Sequence, residues 1–153
     1  DDGQLPEILT RAAESGVAVR YIDADTDLAE GAVRVALYAP VGAGTENERG
    51  LSMTVSVGDY GMLVTGDMSR TAEKALLAGH DLSGTELLIA GHHGSKNSTG
   101  SELLAETGAQ TAIISVGYNT YGHPTNAALA RLYDAGAAIY RTDLNGNVTV
   151  RTD

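Results

Sequence analysis

Residues 52–77 read SMTVSVGDYGMLVTGDMSRTAEKALL, and the order of patterns within them decides the fold class. Ser52 to Val57 and Met62 to Val64 are short runs rich in branched residues on either side of a tight turn over Gly58 to Gly61, the pattern of an antiparallel hairpin. The second run breaks at Thr65-Gly66-Asp67. Ser69 to Leu77 then carries alanine and leucine at helical spacing with Glu73 and Lys74 on the exposed side, and the Ser69 hydroxyl is placed to cap the helix by accepting a backbone N–H. A hairpin that runs on into strand, loop and helix calls for a mixed sheet, because a helical crossover returns the chain parallel to the strand it left.

Downstream the pattern repeats. Glu86 to Ala90 is a short apolar strand that delivers His92 and His93 into a polar loop; Ser101 to Thr107 returns to helix, and Thr111 to Val116 is the next strand. A second polar loop carries Tyr118, Tyr121, His123 and Pro124 before Thr125 caps a helix over Asn126 to Ala135, stopped by Gly136. Ala137 to Thr142 and Val148 to Thr152 flank Asn145-Gly146 and predict a closing hairpin. Upstream, the spacing predicts a helix over Leu5 to Ser15, a strand over Val17 to Ile22, an acidic turn over Asp23 to Gly31, a strand over Ala32 to Tyr38 and a loop over residues 41–50. Together these elements predict one α/β domain over residues 1–153, a sandwich built on a mixed sheet.

Composition narrows the partners. Twenty acidic against ten basic residues give a formal net charge of -10, which opposes non-specific attraction to nucleic acid and to anionic membranes. An anionic substrate therefore needs local positive charge, which a bound divalent ion can supply. No cysteine is present, so disulfides and thiolate metal sites are excluded. No apolar stretch is long enough to span a bilayer, and the start Asp1-Asp2-Gly3-Gln4 lacks the order of a signal peptide and an initiator Met, so the chain is expected to be a piece of a longer protein.

Three loops that follow strands hold the polar groups of interest: Thr65-Gly66-Asp67, His92-His93-Gly94-Ser95-Lys96, and Tyr121-Gly122-His123-Pro124. Such loops converge readily at one edge of a sheet. Asp67 offers hard anionic oxygens and His92 a neutral nitrogen, a mixture that suits zinc, manganese or iron. Ser95, Lys96 and Ser98 could hold phosphate oxygens through hydrogen bonds and charge. Against this stand plain readings: solvated loop histidines, a helix-start carboxylate at Asp67, and a turn histidine at His123. His80, after Gly79 at a helix end, fits a C-terminal cap and lies outside the site. Asp23, Asp25 and Asp27 alternate like a calcium loop but lack its glycine and terminal glutamate.

The ordered pieces Leu63-Val-Thr-Gly-Asp67, Leu87-Leu-Ile-Ala-Gly-His92-His93-Gly-Ser-Lys96, Ile113-Ile-Ser-Val-Gly117, Tyr121-Gly-His123-Pro124 and Tyr140-Arg-Thr-Asp143-Leu-Asn-Gly146 resemble the second half of the metallo-β-lactamase-like domain at the C-terminus of the ComEC/Rec2 competence proteins, from about Leu5 to the end. The resemblance implies an αββα sandwich and metal-dependent phosphodiester hydrolysis, with Asp67 as a metal-bridging carboxylate, His92 as a metal ligand, and His93 and His123 beside the substrate. It further implies zinc or manganese in the complete domain, DNA as substrate, a membrane channel in the same polypeptide, and an extracytoplasmic soluble domain.

The early HxHxDH ligand loop of that superfamily has no counterpart here. The expectation is a partial domain that binds metal weakly or not at all, cleaves poorly, and self-associates through an uncovered apolar face. Hydrolysis of a small ester, lactone or phosphodiester stays open as an alternative, as does a non-catalytic binding or assembly module that lost its metal centre.

Overall fold

A computed structural model describes residues 5–41 and 44–152 of the chain. Seven strands form one mixed sheet in chain order: β1 Thr26–Glu30, β2 Val33–Tyr38, β3 Ser52–Val57, β4 Tyr60–Val64, β5 Leu87–Ile89, β6 Thr111–Ile114 and β7 Ala138–Arg141. The first four pair antiparallel, and β4, β5, β6 and β7 pair parallel. The change of direction falls within residues 52–77. Val57 pairs with Tyr60 around Gly58-Asp59, where Gly58 takes φ +58°, the positive value that a two-residue hairpin turn needs.

Helix α1 covers Leu5–Glu14, α2 Arg70–Gly79, α3 Ser101–Thr107, α4 Asn126–Asp134, and α5 is the single turn Thr142–Asn145. Both expected caps form: Ser69 accepts from the Ala72 N–H and Thr125 from the Ala128 N–H. Helices α2, α3 and α4 bring Ala72, Leu76, Leu103, Leu104 and Leu132 into one buried cluster with Leu63, Leu88, Ala112 and Ile114 from one face of the sheet. The parallel half of the sheet is thereby fixed against helices, which is what parallel strands require.

The opposite face is also apolar. The register places Leu28, Val35, Leu37, Met53, Val55, Met62, Val64, Leu87, Ile89, Ile113 and Tyr140 on it. None of these joins the helix-packed core, and Leu28, Val33, Val57 and Tyr140 stand exposed.

Three expectations of secondary structure fail. Val17 to Ile22 alternates like a strand but is not one, whereas the acidic segment holds β1, which takes the free edge of β2. An outermost strand with one edge in water tolerates Asp27 and Glu30, so charge there did not preclude pairing. The closing hairpin is absent: Val148 to Thr152 carries no strand. Asn145 Oδ1 instead accepts the Arg141 N–H at 2.8 Å, and Thr142 Oγ1 bonds both the N–H and the carbonyl of Val116, turning the chain away after β7. Of the expected loop over 41–50, residues 42 and 43 lie outside the described residues, as do 1–4, and Glu46–Arg49 form a 3-10 turn.

Glu73 departs from its expected exposure and is only 2% exposed. It lies three residues before Leu76, on the stripe that faces the core. Its carboxylate accepts the N–H groups of Thr99 at 2.6 Å and Gly100 at 2.8 Å. Burial pushes its pKa up, against those two bonds and the positive charges of Arg131 and Arg70. Glu73→Ala leaves two buried amides without acceptors and is expected to cost about 3 kcal/mol in urea unfolding; a variant as stable as the parent would contradict this role.

His80 caps α2 as expected. Its Nδ1 lies 2.9 Å from the Leu76 carbonyl, its Nε2 2.8 Å from Asp25 Oδ2, and its ring 4.4 Å from that of Tyr38. Both neighbours are acceptors, so only the doubly protonated ring donates to each. Burial works against the charge, but the bonds to Asp25 and Leu76 outweigh it and raise the pKa. A raised folded-state value gives stability that is complete below the unfolded histidine pKa and lost as pH rises through the folded one. His80→Ala should therefore lower the urea midpoint more below about pH 6 than above about pH 8, and an equal loss in both ranges would refute the clamp.

Candidate functional site

The carboxyl ends of β4, β5 and β6 lead into the three loops singled out above, and backbone bonds stitch those loops together. The His92 N–H donates to the Gly66 carbonyl at 3.0 Å, which ties the histidine loop to the Asp67 loop. The Thr125 N–H donates to the Gly94 carbonyl at 2.9 Å, tying it to the third. A Cβ on Gly94 would lie 2.6 Å from Pro124 Cβ, and Gly94 has φ +82°, so only glycine fits. Beneath, the Gly91 N–H donates to Thr99 Oγ1, and the Arg131 guanidinium donates to the carbonyls of Ser98, Thr99 and Lys96.

Within this frame Gly91–Gly94 makes a tight turn in which His92 (φ 48°, ψ 47°) and His93 (φ 54°, ψ 26°) are both left-handed. Each such non-glycine residue costs on the order of 1–2 kcal/mol and persists only where its surroundings hold it. The strain puts two consecutive imidazoles at the sheet edge. His92 Nε2 comes within 3.9 Å of Asp67 Oδ2, with both side chains partly open to solvent. The His123 ring centroid lies 5.6 Å from that of His92, edge to face, and the His93 centroid 6.3 Å from it. His93 Nδ1 bonds the Ser115 carbonyl at 2.7 Å; a carbonyl only accepts, so Nδ1 carries the proton and Nε2 of the neutral ring is left with its lone pair.

His123 is fixed by Asn119, whose amide donates to the His123 carbonyl and whose Oδ1 accepts the His123 N–H. Its Nδ1 is buried without a hydrogen-bond partner. Burial and then the charges of His92 and His93 lower its pKa, with Asp67 opposing. Tyr121 lies nearly parallel to the His123 ring, at 6.1 Å and 27°.

Asp67, His92, His93 and His123 are thus gathered at one place. Lys96 is exposed on the same loop, whereas Ser95 is buried with its hydroxyl accepting the Asn97 N–H. Ser98 stands apart, fully buried, its hydroxyl donated to the Met68 carbonyl at 2.6 Å. The sequence carried no local mark of Arg131 or of the Ser115 carbonyl as supports of the histidine loop, since both act through backbone groups far along the chain. Asp67 and His92 are spaced as two donors to one ion, but among the described residues no group of three or more His, Cys, Asp and Glu could hold a metal. A catalytic zinc needs about three protein ligands, so these residues alone do not complete such a centre.

No family model matches the chain. It is 30% identical to ComE operon protein 3 of Bacillus subtilis over 95% of its length and 19% of that protein. It is 36% identical to competence protein ComA of Neisseria gonorrhoeae over 66% of its length and 15% of that protein. With recombination protein 2 of Haemophilus influenzae the identity is 32% over 69% of the chain and 13% of that protein. The chain spans less than a fifth of the length of these relatives, and it is homologous to one segment of competence proteins.

Proposed function

We propose that the chain is the second half of a metallo-β-lactamase-like domain that cleaves phosphodiester bonds of DNA for a DNA-uptake competence protein. The observation that carries this reading is the approach of His92 Nε2 to Asp67 Oδ2, 3.9 Å apart on loops of adjacent parallel strands, in a chain homologous to competence proteins. These two side chains would be part of the ligand set for zinc or manganese, the remainder coming from residues outside those described here. In this reading His93 Nε2, freed by the Ser115 bond, accepts a proton, and the exposed Lys96 attracts a phosphate oxygen. The apolar second face of the sheet supports the sandwich, because a face of that size is normally covered. In the longer polypeptide the domain would sit outside the cytoplasmic membrane, beside a channel segment. The isolated chain would associate through the open face, and light scattering that shows a monomer at high concentration would remove that expectation.

A second reading is a binding or assembly module without a metal centre, in which the Asp67–His92 approach is a contact between loops. Metal analysis of the full-length protein separates the two: tightly held, stoichiometric zinc or manganese that is lost with Asp67→Ala or His92→Ala eliminates the module.

In the full-length protein, manganese- or zinc-stimulated DNA cleavage is expected to vanish with Asp67→Ala or His92→Ala and to fall about 100-fold with His93→Gln, while circular dichroism stays that of the parent. Undiminished cleavage by the Asp67 and His92 variants would overturn the assignment.

A further inference from the structure

We infer that the loop over residues 117–124 is a stacking platform for unpaired nucleobases, with Tyr121 and Tyr118 as the rings on which they lie. The inference rests on the phosphodiesterase reading for its choice of ligand, and on the loop itself for its geometry. Tyr118 is 101% and Tyr121 82% exposed, although a large aromatic ring gains about 1.5–3 kcal/mol from burial. Two such rings, three residues apart, are presented by a loop that is not slack. Asn119 bonds the Gly117 carbonyl and both backbone groups of His123, and the Thr125 N–H anchors the far end to Gly94.

The rings also lead somewhere. Tyr121 is stacked on His123, and His123 meets His92 edge to face at 5.6 Å, so the outer face of Tyr121 begins a line of aromatic groups that ends beside Asp67. A base that lies on Tyr121 is therefore joined to the Asp67–His92 pair through two successive ring contacts.

Charge decides between kinds of nucleic-acid contact. Recognition by many phosphate contacts requires a basic surface, and this chain has a net charge of -10. Stacking needs no net charge, contributes about 1–3 kcal/mol per base, and tolerates any base because each has a π face. In a duplex those faces are already covered by neighbouring base pairs, so the platform selects single strands.

The test is fluorescence anisotropy of a labelled oligothymidylate with the purified chain in chelator, which separates binding from cleavage. Tyr121→Ala and Tyr118→Ala should each weaken binding by about 5- to 150-fold, Tyr121→Phe should bind like the parent, and Tyr133→Ala, an exposed tyrosine on α4, should have no effect. The parent should bind the matching duplex more weakly, with a shallow dependence on salt. No binding by the parent, equal affinity for duplex, or alanine variants that bind like the parent each overturn the platform; so does capture of an apolar peptide in place of the oligonucleotide. Absence of metal-stimulated cleavage alongside tyrosine-dependent binding would remove the catalytic reading and leave the platform standing.

Discussion

The Glu73 carboxylate, buried at the start of α2, accepts two consecutive amides where the histidine loop returns to α3, at 2.6 and 2.8 Å. A carboxylate taken out of water is costly unless its lone pairs are filled and opposite charge lies near. Here the amides of Thr99 and Gly100 fill them, and the charges of Arg131 and Arg70 reduce a desolvation that still raises the pKa. Arg131 in turn spends its own donors on the carbonyls of Lys96, Ser98 and Thr99. Backbone donors and acceptors of one loop are thus satisfied by two buried or half-buried charges from α2 and α4. That is why three non-glycine residues of the loop, His92, His93 and Thr99, can all stay left-handed: backbone strain of this size holds only where the surroundings determine the conformation more strongly than local preference does.

The mixed sheet sets where that loop can be. Strands β1 to β4 form a meander whose turns alternate between the two ends, while β4, β5 and β6 all point the same way and open at the same edge. Asp67, His92 and His93, and His123 follow those three strands in order. Carboxyl ends of adjacent parallel strands bring residues distant in sequence within side-chain reach, and the Gly66 and Gly94 carbonyls, each accepting an N–H from a neighbouring loop, complete the register.

Local signals in the sequence were sound where one short segment determines the outcome. Ser69 and Thr125 cap the helices they precede, and Gly58 makes its hairpin turn, because each depends on neighbours within four residues. The convergence of the three loops was legible for a related reason, each being the break after an apolar strand. What was not legible depends on partners far along the chain. Thr26–Glu30 looks like a solvated turn until β2 offers it an edge; Val148 to Thr152 looks like a strand until Asn145 takes the Arg141 amide. Glu73 reads as a surface residue because nothing within α2 predicts that the amides of Thr99 and Gly100 will need an acceptor.

The tautomer of His93 shows how firmly its loop is held. With Nδ1–H given to the Ser115 carbonyl, the ring cannot turn without breaking a 2.7 Å bond, and its basic nitrogen is left uncommitted. A histidine that merely decorated a loop would have no reason to be locked in a left-handed turn with one nitrogen anchored. His123 points the same way: its buried, partnerless Nδ1 is a cost that an inert turn would shed. Two ring nitrogens are thus left without a protein partner, and a third, on His92, lies 3.9 Å from the Asp67 carboxylate. The left-handed backbone of His92 and His93 and the buried, partnerless Nδ1 of His123 each cost stability, and the surrounding loops hold them in place. The 3.9 Å approach of Asp67 and His92 is a product of the same constraint, since loops at the carboxyl ends of adjacent parallel strands bring the two side chains together.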